Sequence, residues 1–228
     1  MAVILLFVLG LFANNHLLTL YVRVLIYNIN MVGSSILPAC VHKGKLYFLF
    51  GKENSLADTP GWSDFGGGVD PGESIYDTAL REGGEELTGF LGGEDELRSL
   101  IKQSGGTYKI VPNASNYNIH IFNLPYSSDL PKLYNANHDF LWKRMDKKFL
   151  NETKLFEKIE IQWFSLSDMK KKRNQFRSFY REFIDLLIKD QAQIKKFLGA
   201  GMTKTRKFSL GGRRKRKTYK QASNKWFR

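Results

Sequence analysis

Between Gly67 and Glu86 the chain sets carboxylates and one arginine at spacings that a helix turns into a metal site. Glu82, Glu85 and Glu86 stand at i, i+3 and i+4, so a helix places all three on one face. Like charges so arranged destabilise a helix by roughly 0.2–0.5 kcal/mol per pair. A hard divalent cation reverses that penalty, because Mg²⁺ is bound through oxygen ligands such as carboxylates. The helix start is also written in: Asp70-Pro71-Gly72 reads as a turn and Ser74 as an N-cap. Asp77 completes a Ser-x-x-Asp capping box. Asp77 with Arg81, and Arg81 with Glu85, are spaced to pair at i, i+4.

This stretch resembles the Nudix box, G-x5-E-x7-R-E-U-x-E-E-x-G-U, where U is a bulky aliphatic residue. Gly67, Glu73, Arg81, Glu82, Glu85 and Glu86 match its most demanding positions, and Trp62 to Gly67 resembles the strand and glycine loop that precede it. Gly83 replaces the first aliphatic residue, Thr88 stands where glycine is expected, and Gly89 takes the last aliphatic position. Gly89 is therefore expected to end the helix one residue late. Gly83 and Gly84 are expected to weaken it, by about 1 kcal/mol each against alanine.

The resemblance implies an α/β protein with the Nudix-type α/β/α sandwich and a mixed sheet. It implies hydrolysis of a phosphoanhydride in a nucleoside diphosphate linked to another group. The ion it implies is Mg²⁺, or Mn²⁺ in its place, held by Glu82, Glu85, Glu86 and a backbone carbonyl at Gly66. Glu82, Glu86, Arg81 and Glu73 are then the catalytic set, with Glu73 orienting Arg81. The general base is a box glutamate or a later one, for which Glu152, Glu157 and Glu160 are candidates. The alternative is a non-hydrolytic module of the same fold that binds RNA or a nucleotide.

Composition divides the chain into parts. The net charge is +13, and residues 200–228 hold 11 Lys/Arg with no Asp/Glu, so the tail carries most of it. The single cysteine, Cys40, excludes an intrachain disulfide and a cysteine-rich zinc site. Residues 1–30 form an apolar segment, and within 1–27 Arg23 is the only charged residue. A membrane span needs about 20 apolar residues, so this segment is read as a cytoplasm-facing membrane anchor or as an extension upstream of Met31. The organisation expected is this segment, a hydrolase domain over 33–198 and a basic, disordered tail over 199–228. The protein is expected in the cytoplasm, with the nucleus as runner-up.

Hydrophobic patterning places strands at 36–42, 45–51, 108–111, 117–124 and 156–166. Helices are expected over 95–103, around Leu141, Met145 and Phe149, and as one long element over 175–198. Trp142, Tyr134 and Lys143 are candidate substrate-binding residues, the aromatics for stacking on a base and the lysine for phosphate. In the tail, Arg213, Arg214, Lys215, Arg216 and Lys217 form a cluster suited to phosphate or RNA. The same cluster also suits nuclear targeting or an acidic membrane surface.

Overall fold

The computed structural model describes residues 32–55, 57–112, 116–153 and 156–205. The apolar segment 1–30 and the cluster 213–217 lie outside these. Strands β1 (Gly33–His42) and β2 (Lys45–Glu53) form a hairpin through Lys43-Gly44, both at positive φ. β1 buries side chains on both faces, Ile36 and Cys40 on one and Leu37 and Ala39 on the other. A strand so covered belongs at the centre of a layered domain.

β1 runs parallel to β6 (Tyr117–Asn123) and antiparallel to β2. Its first residues also pair antiparallel with β4 (Phe65–Gly68). β3 (Trp62–Ser63) and β7 (Lys158–Ser165) pair with β2, and β5 (Tyr108–Ile110) pairs with β6. The result is a mixed sheet of seven strands. One face is covered by α1 (Ile75–Glu86), α2 (Glu94–Gln103) and α3 (Asp129–Trp142), through Ala79, Leu80, Leu97, Ile101 and Tyr134. The other is covered by α5 (Leu166–Lys171), α6 (Arg181–Lys189) and α7 (Gln191–Thr205), while α4 (Lys147–Thr153) precedes β7. This is the α/β/α sandwich expected.

Strand ends shift by a few residues, and the helices after β6 depart further from the sequence expectation. Leu141 lies at the end of α3, one residue before its last, and Phe149 lies in α4, because Asp146 accepts from the amides of Lys148 (2.8 Å) and Phe149 (3.1 Å) and so starts a new helix. The element expected over 175–198 is broken at Asp190, which caps α6 and accepts the Tyr108 hydroxyl at 2.8 Å. α7 then runs past 198 to Thr205, since Ile194 and Leu198 anchor it and extending a formed helix costs little. Among the described residues no helix is long and apolar enough to cross a membrane.

Candidate active site

The site begins with a strand stripped of side chains. Gly66 and Gly67 of β4 lie against Ser35 and Ser34 of β1. A Cβ added at Gly66 would meet the Ser34 carbonyl oxygen at 2.4 Å. At Gly67 it would meet the Glu82 carboxylate. The loop must be glycine so that β1 and a carboxylate of α1 can both approach it. The chain then turns through Gly72, at φ +88°, and Ser74 caps α1 by accepting the Asp77 amide at 3.1 Å. The Asp77 carboxylate pairs with Arg98 of α2 at 2.7 Å, where sequence spacing had suggested Arg81.

Arg81 turns to the loop. Its Nε donates to Glu73 Oε1 at 2.7 Å and one terminal nitrogen to Glu73 Oε2 at 3.1 Å, a bidentate pair. The same side chain reaches the Gly68 carbonyl (3.2 Å), Glu82 (2.9 Å) and Glu85 (3.4 Å). Hydrogen bonding to Arg81 holds the Glu73 pKa down at about 2, against burial that raises it. Thr78 adds a further donor at 2.7 Å. Glu73 therefore fixes the position of the Arg81 guanidinium.

The three helix carboxylates part company. Glu85 is 63 % exposed, paired with Arg81 at 3.4 Å and facing the cavity beside α1. Glu82 lies under Gly67, and Glu86 is buried with Oε2 accepting the Gly66 amide at 2.8 Å. Burial raises the pKa of both Glu82 and Glu86, and the charge of half-buried Glu157 adds to the rise at each. Two carboxylates, Glu82 and Glu86, thus lie against the glycine loop. Among the described residues no three His, Cys, Asp or Glu side chains close to metal-ligand distances, because Arg81 draws Glu82 and Lys158 draws Glu86. The donor set nevertheless fits a hard divalent cation, being all oxygen and carrying mutual repulsion that a cation relieves. The residues that would hold it are Glu82 and Glu86, with the more exposed Glu85 on the same helix. Of the expected ligands, Glu85 is the exposed one, paired with Arg81, and the Gly66 amide donates to Glu86.

Beneath Glu86 lies a group that sequence reasoning missed. Lys158 is fully buried, with its Nζ bonded to Glu53, at 2.9 Å from Ser63 Oγ and at 3.2 Å from Glu86 Oε1. Burial lowers its pKa, but Glu86 and Glu53 outweigh burial and hold it above the ordinary value. Gly51 was the available signal, a glycine at the end of an apolar strand run.

The box departures also acquire reasons. A Cβ at Gly83 would fall 2.3 Å from Ile36 Cδ1, so the helix sits too close to β1 for a side chain there. Thr88, not Gly89, ends the helix. The Thr88 amide reaches the Glu85 carbonyl at 2.9 Å and the Gly89 amide the Gly84 carbonyl at 3.0 Å, the Schellman pattern. Thr88 takes the left-handed position itself, at φ +49°, a strained conformation for a β-branched residue.

Of the expected substrate residues, Tyr134 is 1 % exposed and unavailable to a ligand. Its hydroxyl donates to the Glu86 and Lys158 carbonyls at 2.9 and 3.0 Å, pinning α3 to α1 and β7. Trp142 is stacked on His138 and covered by Lys147, and exposed Lys143 pairs with Asp139. Nearer the acids, a cavity of about 500 Å³ runs along α1 between Arg81, Gly84 and Thr88 on one side and Asn137, Leu141 and Phe156 on the other.

The profile of the NUDIX domain family matches residues 31–187. A search of curated proteins finds no match. Among solved structures, a C. elegans Ap4A hydrolase binary complex aligns at 16 % identity and a TM-score of 0.36, over 76 % of this chain and 98 % of its own. A bifunctional NMN adenylyltransferase/ADP ribose pyrophosphatase from Francisella tularensis, complexed with AMP and a manganese ion, aligns at 17 % and 0.48, over 79 % and 48 %. The MutT protein of Methanosarcina mazei aligns at 18 % and 0.38, over 71 % and 94 %.

Proposed function

The chain belongs to the Nudix family, and on that premise we propose that it hydrolyses a phosphoanhydride bond in a nucleoside diphosphate linked to another group, with a divalent metal ion. The observation that carries this reading is the placement of Glu82 and Glu86 against the glycine loop, with Arg81 locked by Glu73 beside them. A bound divalent ion supplies neutralisation of the diphosphate and acidification of a coordinated water. The chain's own residues do the positioning. Arg81 turns three of its nitrogens to Glu73, Glu82 and the Gly68 carbonyl and so holds the loop against α1. Water attacks one phosphorus in line, and the bridging oxygen leaves with the other phosphate.

For the proton of that water we assign Glu157. It is half-buried at the start of β7, next in the chain to Lys158, whose ammonium bonds Glu86. Glu152 and Glu160 instead make 3.8 Å surface pairs with Lys148 and Lys52. Within the class we propose capped RNA as a substrate, on the strength of the 11 basic residues over 200–228. The test is a panel of ADP-ribose, a dinucleoside tetraphosphate, a cap dinucleotide and a long capped RNA, each with Mg²⁺, Mn²⁺ or chelator. Metal-dependent cleavage of at least one is expected. Tight binding without cleavage at saturating metal would establish the non-hydrolytic alternative. Equal cleavage of capped RNA and cap dinucleotide, with no loss on removing 206–228, would exclude the RNA-directed reading.

A further inference from the structure

Behind the carboxylates α1 presents to solvent lies a second, sealed layer of charge. Lys158 opens β7, Glu53 closes β2, and the two are register partners across the sheet. The register of β2 shifts between Lys52 and Glu53, an irregularity of the kind that re-aims a side chain. Here it accompanies a Glu53 carboxylate turned inward, where it meets Lys158, Ser63 (3.1 Å) and Arg177 (2.8 Å). Room for the lysine stem is made at Gly51, where an added Cβ would sit 2.8 Å from Lys158 Cγ. The ammonium is fully enclosed, and no substrate can touch it. Its third partner is Glu86, whose other oxygen accepts from Gly66.

We propose that Lys158 is a resident cation of the site: a positioning residue whose ammonium, sealed between Glu53 and Glu86, permanently offsets the innermost negative charge and so limits how tightly the carboxylates of α1 hold a divalent ion. This rests on the hydrolase reading for its purpose, but the physical claim concerns charge alone. A buried charge is poorly screened, so an ammonium bonded to Glu86 repels any second cation on that carboxylate. Removing the ammonium raises the site's affinity for divalent ions, and removing its acidic partner Glu53 lowers it. A lysine that only props the fold predicts something else, since loosening the site from either side would weaken ion binding.

The experiment uses the full chain and Mn²⁺ as probe, with free Mn²⁺ read by paramagnetic resonance and no substrate present. Lys158→Met is expected to tighten Mn²⁺ binding on the order of tenfold, and Glu53→Gln to weaken it by a similar factor. The double variant, which restores the net charge, should return close to wild type. Thermal midpoints accompany each titration, because Lys158→Met leaves two buried carboxylates short of a partner. If that single variant does not fold, the comparison of Glu53→Gln with the double variant still decides, the double being expected to bind more tightly. Weaker or unchanged Mn²⁺ binding on loss of Lys158 from a folded protein overturns the proposal, as does absence of Mn²⁺ binding in every variant. A protein that binds Mn²⁺ with the expected order of affinities but cleaves nothing in the substrate panel would retain this inference and lose the hydrolase reading.

Discussion

Two cations hold the carboxylates of α1, and they are built in opposite ways. Arg81 sits at the water's edge, 20 % exposed, and all its acidic partners (Asp70, Glu73, Glu82 and Glu85) lie close by in the chain. Lys158 is sealed, and its partner Glu53 lies 105 residues away in the chain. The guanidinium acts by geometry, since its planar fork fits Glu73 in both oxygens and shares the rest among several acceptors. The ammonium acts as a compact charge in a place water does not reach. Loss of one contact at Arg81 can be made good by a neighbour or by solvent. Loss of the Lys158 ammonium leaves two buried carboxylates short of a cation, a change that typically costs about 3–5 kcal/mol. A hydrolytic site thus has an adjustable clamp on its open side and a rigid one behind.

The strongest test of that contrast is at the two ends of the carboxylate set. Glu86→Gln removes the one carboxylate shared by the rigid clamp and the loop, and hydrolysis should fall on the order of 10²–10³. The fold should survive, because Gln still accepts from Gly66 and Lys158 keeps Glu53. Glu85→Gln, at the rim, should stay within a few-fold of wild type, about one RT unit or two in barrier. Equal losses in kcat at saturating metal would erase the distinction between buried and rim carboxylates.

A smaller effect, about 10–100-fold in activity, is expected for Glu73→Gln, which touches only the arginine clamp. This variant also carries a pH signature. The folded pKa of Glu73, about 2, lies below its ordinary value of 4.5. Its stabilisation is therefore complete above about pH 4.5 and is lost as pH falls toward 2. Acid denaturation followed by circular dichroism should accordingly be shallower across that window in Glu73→Gln. An unchanged acid limb would mean that the bidentate pair contributes nothing to folding.

The smallest effects concern how α1 is seated between the clamps. Gly83→Ala should destabilise by about 1–3 kcal/mol, because the new methyl meets buried Ile36. Thr88→Gly should stabilise by up to about 1 kcal/mol by relieving the left-handed strain at φ +49°. Opposite signs in the two thermal midpoints are the prediction. A stabilised Gly83→Ala would show that the close approach of helix to strand is slack.

Much of this was legible beforehand because its causes are local. The glycine loop, the Ser74 cap, the Arg81 fork and the stacking of Glu82 with Glu86 depend on backbone conformation and on spacings of a few residues. Expectations that reached further went astray in telling ways. Tyr134 resembles a stacking residue by type, but its hydroxyl ties three elements together from inside. Gly83 looked like a flaw in a helix when the helix was considered alone. Against β1 it is the residue that permits contact.

The sequence by itself determined the chemistry available: which residue types stand at helical spacing, where the loop is bare, and that the globular part and the basic tail are separate in charge. Helix periodicity, capping and glycine conformations are properties of short stretches, and short stretches can be read directly. Only the tertiary structure decided which carboxylate is buried and which cation lies beneath it. Glu53, Glu86 and Lys158 meet because β2, α1 and β7 converge at one place. Burial and mutual charge, the quantities that separate a metal-binding carboxylate from a solvated one, exist only after that convergence.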